Sequence, residues 1–182
     1  CRSGVDVIAD MAVGADANSQ EAWINQELFS MDFEIGAPPD SHNLEGQSWG
    51  LPPMNPQRLV RADLRPYINM ARWTLQYAGA MRIDHVMQVW RLYWVPKQGG
   101  PKQGAYVHYP VHALLAILRL ESMRTGAWIV GEDMGTVAPG VRESMASINM
   151  LGNRSANRTP VQNWPHLCVG TSSTHDQATL AG

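Results

Sequence analysis

Residues 66–84 read PYINMARWTLQYAGAMRID, and this stretch decides the fold. Pro66 stands at the first-turn position a helix tolerates, the spacing predicts a helix over Pro66–Ala78, and Gly79 offers a stop. A short strand, Ala80–Ile83, is expected next, and it ends on Asp84. The same order recurs at 110–132, PVHALLAILRLESMRTGAWIVGE. There a helix over Pro110–Thr125 carries Val111, Leu114, Leu115 and Leu118, stops at Gly126, and precedes a strand, Trp128–Gly131, that ends on Glu132. Leu167–Gly170 continues through Thr171–Thr174 to His175 and Asp176. The opening Val5–Ala9, ending on Asp10, has the same form.

Short apolar strands separated by helices indicate a parallel sheet with crossover helices. Residues that end parallel strands gather on one edge, and in a (β/α)-barrel that edge carries the active site. The fold class expected is therefore α/β, part of a (β/α)8 TIM barrel with long inserted loops. One acid at a strand end can simply cap the next helix. Asp84, Glu132 and Asp176 together are harder to explain that way.

Bulk properties narrow the function. The chain has 182 residues, 45% hydrophobic and 16% charged, a globular balance. A net charge of −2 gives no electrostatic reason to expect nucleic acid or an anionic membrane as partner. No apolar run approaches the roughly 20 residues of a membrane span; Val111–Leu120 is interrupted by His112 and Arg119. Two cysteines, Cys1 and Cys168, make no disulfide framework and fit a reducing cytosol, so the expected location is cytoplasmic. Residues 36–56, GAPPDSHNLEGQSWGLPPMNP, are too rich in Gly and Pro for helix or strand and read as an inserted functional loop. The tandem PKQGG/PKQG within Pro96–Gly104 reads as a mobile loop.

Three acids on one barrel edge suit cleavage of a glycosidic bond with retention. One carboxylate attacks the sugar carbon, a second protonates the leaving oxygen and later deprotonates the acceptor, and further negative charge steadies the oxocarbenium-like transition state. Other chemistries use three acids too, and the neighbouring residues narrow the choice.

MRIDHV (Met81–Val86) resembles the nucleophile motif of the 4-α-glucanotransferases, also called amylomaltases or disproportionating enzymes. IVGEDMGTV (Ile129–Val137) is similar to their acid/base motif. STHD (Ser173–Asp176), followed by Thr179, Leu180, Ala181 and Gly182, is similar to their third carboxylate motif. GAPPD (Gly36–Asp40) and GQSWGLP (Gly46–Pro52) resemble the loop before the nucleophile strand, and GAYVHYP (Gly104–Pro110) a connection found in the bacterial cytosolic branch. The ordered set spans nearly the whole chain.

The resemblance implies that Asp84 is the nucleophile, Glu132 the general acid/base and Asp176 the transition-state stabiliser. It implies that Arg82 keeps Asp84 ionised, that His85 and His175 donate to substrate hydroxyls, and that Trp49 offers its face to a glucose ring with Gln47 as polar partner. Asp133 is left between binding sugar and fixing Glu132. The partners implied are α-1,4-glucan or maltooligosaccharide donors and acceptors; no cofactor and no metal is implied. Residues 1–182 are expected to belong to a single catalytic barrel domain, roughly its strands 3 to 7, with the first strands and the last outside this stretch. Ser147–Leu151 is a poor stand-in for the strand expected there, and Asn149, Asn153 and Asn157 read as loop. With walls missing, Met81, Ile83, Ile129 and Val130 are expected to be partly wet.

Three alternatives stay open. An α-glucan hydrolase would use the same carboxylates, although the GQSWG and GAYVHYP segments favour transfer. A non-catalytic glucan-binding remnant is another. A metal site built from His85, Glu132, Asp133, His175 and Asp176 is the third; no pair has the i, i+4 His spacing of a zinc helix, and Arg82 beside Asp84 disfavours a cation.

Overall fold

The structure, a computed structural model, describes residues 4–41, 43–135, 137–156 and 159–172. Its elements in chain order are β1 (Ile8–Met11), α1 (Gln20–Ile24), β2 (Phe33–Ala37), β3 (Gln47–Ser48), α2 (Pro56–Arg61), α3 (Arg65–Leu75), β4 (Ala80–Ile83), β5 (Arg91–Pro96), β6 (Ala105–His108), α4 (Val111–Thr125), β7 (Trp128–Gly131), α5 (Val141–Ser147), β8 (Leu151–Ser155) and β9 (Cys168–Thr171). Local chemistry accounts for several boundaries. Asn55 caps α2 by accepting from the amides of Gln57 and Arg58, with Pro56 just inside. Gly126 takes a φ of +71°, the left-handed turn that ends α4 and releases the chain into β7. No described helix is long and apolar enough to cross a membrane.

The chain separates into two compact units. The first comprises Cys1–Met11, Ala71–Met87 and Leu115–Gly182. It holds a five-stranded sheet in the order β1-β4-β7-β8-β9, parallel throughout. This is an α/β partial barrel: among the described residues β1 and β9 each have one neighbour, and the sheet stays open.

The strands expected at Ala80–Ile83 and Trp128–Gly131 form with those bounds. The first strand does not: it covers Ile8–Met11, so Asp10 lies inside it, in register with Arg82. Val5 and Val7, whose apolar character suggested an earlier start, are exposed. The segment read as loop around Asn153 is strand β8, and Asn153 is buried. It links β7 to β9, so the ladder from β7 through β8 to β9 is continuous.

The four residues expected to be wet are buried: Met81 0%, Ile83 0%, Ile129 7% and Val130 2% exposed. Strand alternation explains half of this. Met81 and Ile83 alternate with Arg82 and Asp84, so they occupy the face opposite the carboxylate and pack as core.

The second unit, Ala12–Met70 and Gln88–Leu114, holds an antiparallel sheet, β3-β2-β5-β6, that the sequence reading missed. Its core is Ile35, Leu92 and Trp94, with Val13, Trp49, Leu51, Val107 and Tyr109 against it. Residues 36–56 are thus not free of strand, because Gly36 and Ala37 pair with Ser48 and Gln47. Gly36 is required there: a Cβ would lie 2.0 Å from the Gln47 carbonyl oxygen. The PKQG repeat lies in the β5–β6 connection, where Tyr93 donates to the Pro101 carbonyl at 2.9 Å.

Candidate active site

The parallel register sets the site. Asp10, Arg82 and Val130 lie side by side on β1, β4 and β7, and Met11, Ile83 and Gly131 form the next row. Backbone pairing continues one residue further: Asp84 N–H donates to Met11 O at 3.0 Å and Glu132 N–H to Ile83 O at 3.0 Å. Asp84 and Glu132 therefore leave adjacent parallel strands at the same level of the C-terminal edge.

The turn after β4 joins them. His85 sits at φ +46°, a left-handed conformation that His tolerates better than most side chains. Its N–H donates to Glu132 Oε2 at 2.9 Å, and the next amide, Val86 N–H, donates to the Glu132 carbonyl at 3.0 Å. Burial holds the His85 imidazole below its usual range, with the Asp84 charge opposing. The ring is therefore neutral at neutral pH.

Arg82 is shared. Its Nη1 donates to Asp10 Oδ1 and Oδ2 at 2.9 and 2.8 Å, and to Asp84 Oδ1 at 2.9 Å. Burial works against its charge, but Asp10 and then Asp84 outweigh that and hold the guanidinium above its ordinary value.

Asp133 faces elsewhere. It is buried, its Oδ2 accepts from Arg142 Nε at 2.8 Å, and its Oδ1 accepts from Arg154 Nη1 and from Asn153 N–H. Burial pushes this carboxyl up, yet Arg154 and Arg142 together hold it below the usual range. It ties the end of β7 to α5 and β8.

In the second unit, Trp49 Nε1 donates to Gln47 Oε1 at 2.9 Å, so these two expected partners do meet. Trp49 is half-buried and Gln47 exposed. His175 and Asp176 lie outside the described residues, beyond β9. Among the described residues no group of three or more His, Cys, Asp or Glu is arranged to hold a metal ion. Asp10 and Arg154 are the site neighbours to which sequence reasoning gave no role: the first was read only as an acid closing a strand, the second lies in a polar strand taken as loop.

The family model of the 4-alpha-glucanotransferases matches residues 1–182. The chain belongs to that family. It is 37% identical over 188 residues to a 4-alpha-glucanotransferase of Mycobacterium tuberculosis, covering 97% of this chain and 26% of that protein. An amylomaltase from Corynebacterium glutamicum superposes with a TM-score of 0.89 at 34% identity, over 96% of this chain and 26% of that one. An amylomaltase from Streptococcus agalactiae, solved in complex with acarbose, superposes with a TM-score of 0.84 at 22% identity, over 97% of this chain and 39% of its own. The chain thus spans about a quarter to a third of the length of the curated glucanotransferases it matches.

Proposed function

We propose that this chain is the catalytic part of a retaining 4-α-glucanotransferase that passes α-1,4-glucan segments between maltooligosaccharides in the cytoplasm. The observation that carries the reading is the pair of carboxylates, Asp84 and Glu132, at neighbouring strand ends, one tied to Arg82 and the other to the His85 amide. Residues 1–182 would belong to a single barrel domain, with residues 36–56 as its substrate loop.

In the first step Asp84 attacks the anomeric carbon while Glu132 gives its proton to the glycosidic oxygen, so one C–O bond breaks and a glycosyl ester forms. In the second, the Glu132 carboxylate takes the proton of an acceptor 4-hydroxyl, whose oxygen displaces Asp84. Arg82, donating to Asp84 Oδ1, would orient that carboxylate for attack. The His85 amide donates to one Glu132 oxygen and would help to orient that carboxyl group. Asp176 would grip hydroxyls of the distorted sugar, with His85 and His175 as further donors, Trp49 as a stacking face and Gln47 beside it. Of the two roles open to Asp133, its arginine partners favour fixing the Glu132 backbone.

The test is maltotriose disproportionation by an enzyme of the relatives' full length carrying this chain. Transfer yields glucose and longer oligosaccharides with the number of reducing ends unchanged. A rise in reducing ends without longer products would favour the hydrolase, and binding without turnover the non-catalytic remnant.

A further inference from the structure

The repeated PKQG motif has no task in the chemistry above. Its second copy forms the short turn Pro101–Gln103 between β5 and β6. Tyr93 on β5 fixes that turn by donating to the Pro101 carbonyl at 2.9 Å. From the turn Lys102 reaches the segment that leads into β3, its Nζ lying 2.8 Å from Glu45 Oε1 and 2.7 Å from Oε2. Glu45 is itself held, because its N–H donates to Asn43 Oδ1 at 3.3 Å and the Gly46 N–H to the Asn43 carbonyl at 3.1 Å. The two backbones also approach closely: a Cβ on residue 46 would lie 2.7 Å from Pro101 Cβ. The turn therefore grips Glu45 and Gly46 immediately before Gln47 and Trp49, whose side chains bond to each other. The Lys102 and Glu45 side chains are 59% and 79% exposed, so this pair is weak and open to screening by salt.

We propose that Lys102 is a positioning residue for glucan binding. With Glu45 it clamps the entry to the substrate loop and keeps Gln47 and Trp49 ready to receive a glucose ring. A loop ordered before the sugar arrives spares the cost of ordering it on binding. The loop would meet the sugar alike in the ground state and the transition state, so losing the clamp raises KM and leaves kcat. This inference rests on the reading of Trp49 and Gln47 as sugar contacts.

The experiment is the salt dependence of kcat and KM for maltotriose disproportionation in the full-length enzyme carrying this chain, with thermal melting alongside. Maltotriose is uncharged, so a KM that moves with salt reports charges within the protein. Lys102→Glu should raise KM about fivefold at low salt with kcat almost unchanged. The exchanged pair, Lys102→Glu with Glu45→Lys, should bring KM back. The parent's KM should climb with added salt toward that of Lys102→Ala, whose own KM should stay flat. If Lys102→Glu does not fold, Lys102→Gln is read in the same way. A KM for Lys102→Glu equal to the parent's overturns the proposal. So does a raised KM that the exchanged pair leaves uncorrected, or a salt response that survives in Lys102→Ala. Trp49→Leu separates the two claims, with Gln47→Ala in its place where it does not fold. If its KM matches the parent's, the reading of the loop fails and the clamp with it; if its KM rises while that of Lys102→Glu does not, the clamp alone fails.

Discussion

The backbone amide of His85 donates to Oε2 of Glu132 at 2.9 Å from a residue whose φ is +46°. A side chain 47 positions away in sequence thus accepts a hydrogen bond from the backbone of this turn. The left-handed backbone is what directs that N–H toward β7, and it sets the tolerance of position 85. Asn accepts this conformation and a β-branched residue resists it. His85→Asn should therefore be more stable than His85→Thr by about 1 kcal/mol in chemical denaturation. Equal midpoints would mean that the turn carries no strain.

Asp133 predicts how stability depends on pH. Its folded carboxyl is held below the usual range, so the stability it contributes is present above the unfolded value, about 4. That stability is lost as pH falls through the lower folded value. Asp133→Asn leaves Arg154, 17% exposed, without its charge partner and should cost about 3–5 kcal/mol at neutral pH. The gap between parent and variant should narrow below pH about 4. A gap that stays constant down to pH about 2 would show that charge at Asp133 is not what stabilises.

These two cases also show what the sequence could and could not reveal. Ala80–Ile83 and Trp128–Gly131 were legible because each apolar strand is closed by an acid and preceded by a helix and a glycine. β8 was not, because LGNRS looks like loop until Asp133, twenty residues earlier, accepts from the Asn153 amide and pairs with Arg154. A polar strand becomes tolerable through partners remote in sequence. β2 was hidden for another reason: Gly36 reads as a loop residue, yet close backbone approach demands glycine in that strand. Asp10 was seen as an acid at a strand end, and only the β1–β4 register brings it to Arg82.

Glu132 is predicted to matter in proportion to the leaving group. Glu132→Gln should lose about 10²–10⁴-fold with maltotriose, whose departing oxygen needs a proton. An α-glycosyl fluoride needs none, so its consumption should fall far less, and azide should restore turnover by replacing the deprotonated acceptor. Equal losses with both donors would remove Glu132 from the acid/base role.

Metal removal separates the carboxylate mechanism from a metal site at His85, Glu132, Asp133, His175 and Asp176. Exhaustive EDTA treatment is expected to leave the disproportionation rate unchanged. A loss restored by one specific divalent ion would support the metal-site alternative.

The covalent step is the centre of the account, and trapping it is the most direct measurement. A 5-fluoro-α-glycosyl fluoride combines a good leaving group with slow breakdown of the ester. It should load the full-length enzyme with one sugar, and peptide mapping by mass spectrometry should place that sugar on Asp84. A stable sugar adduct on any other side chain, with Asp84 unmodified, would contradict the account.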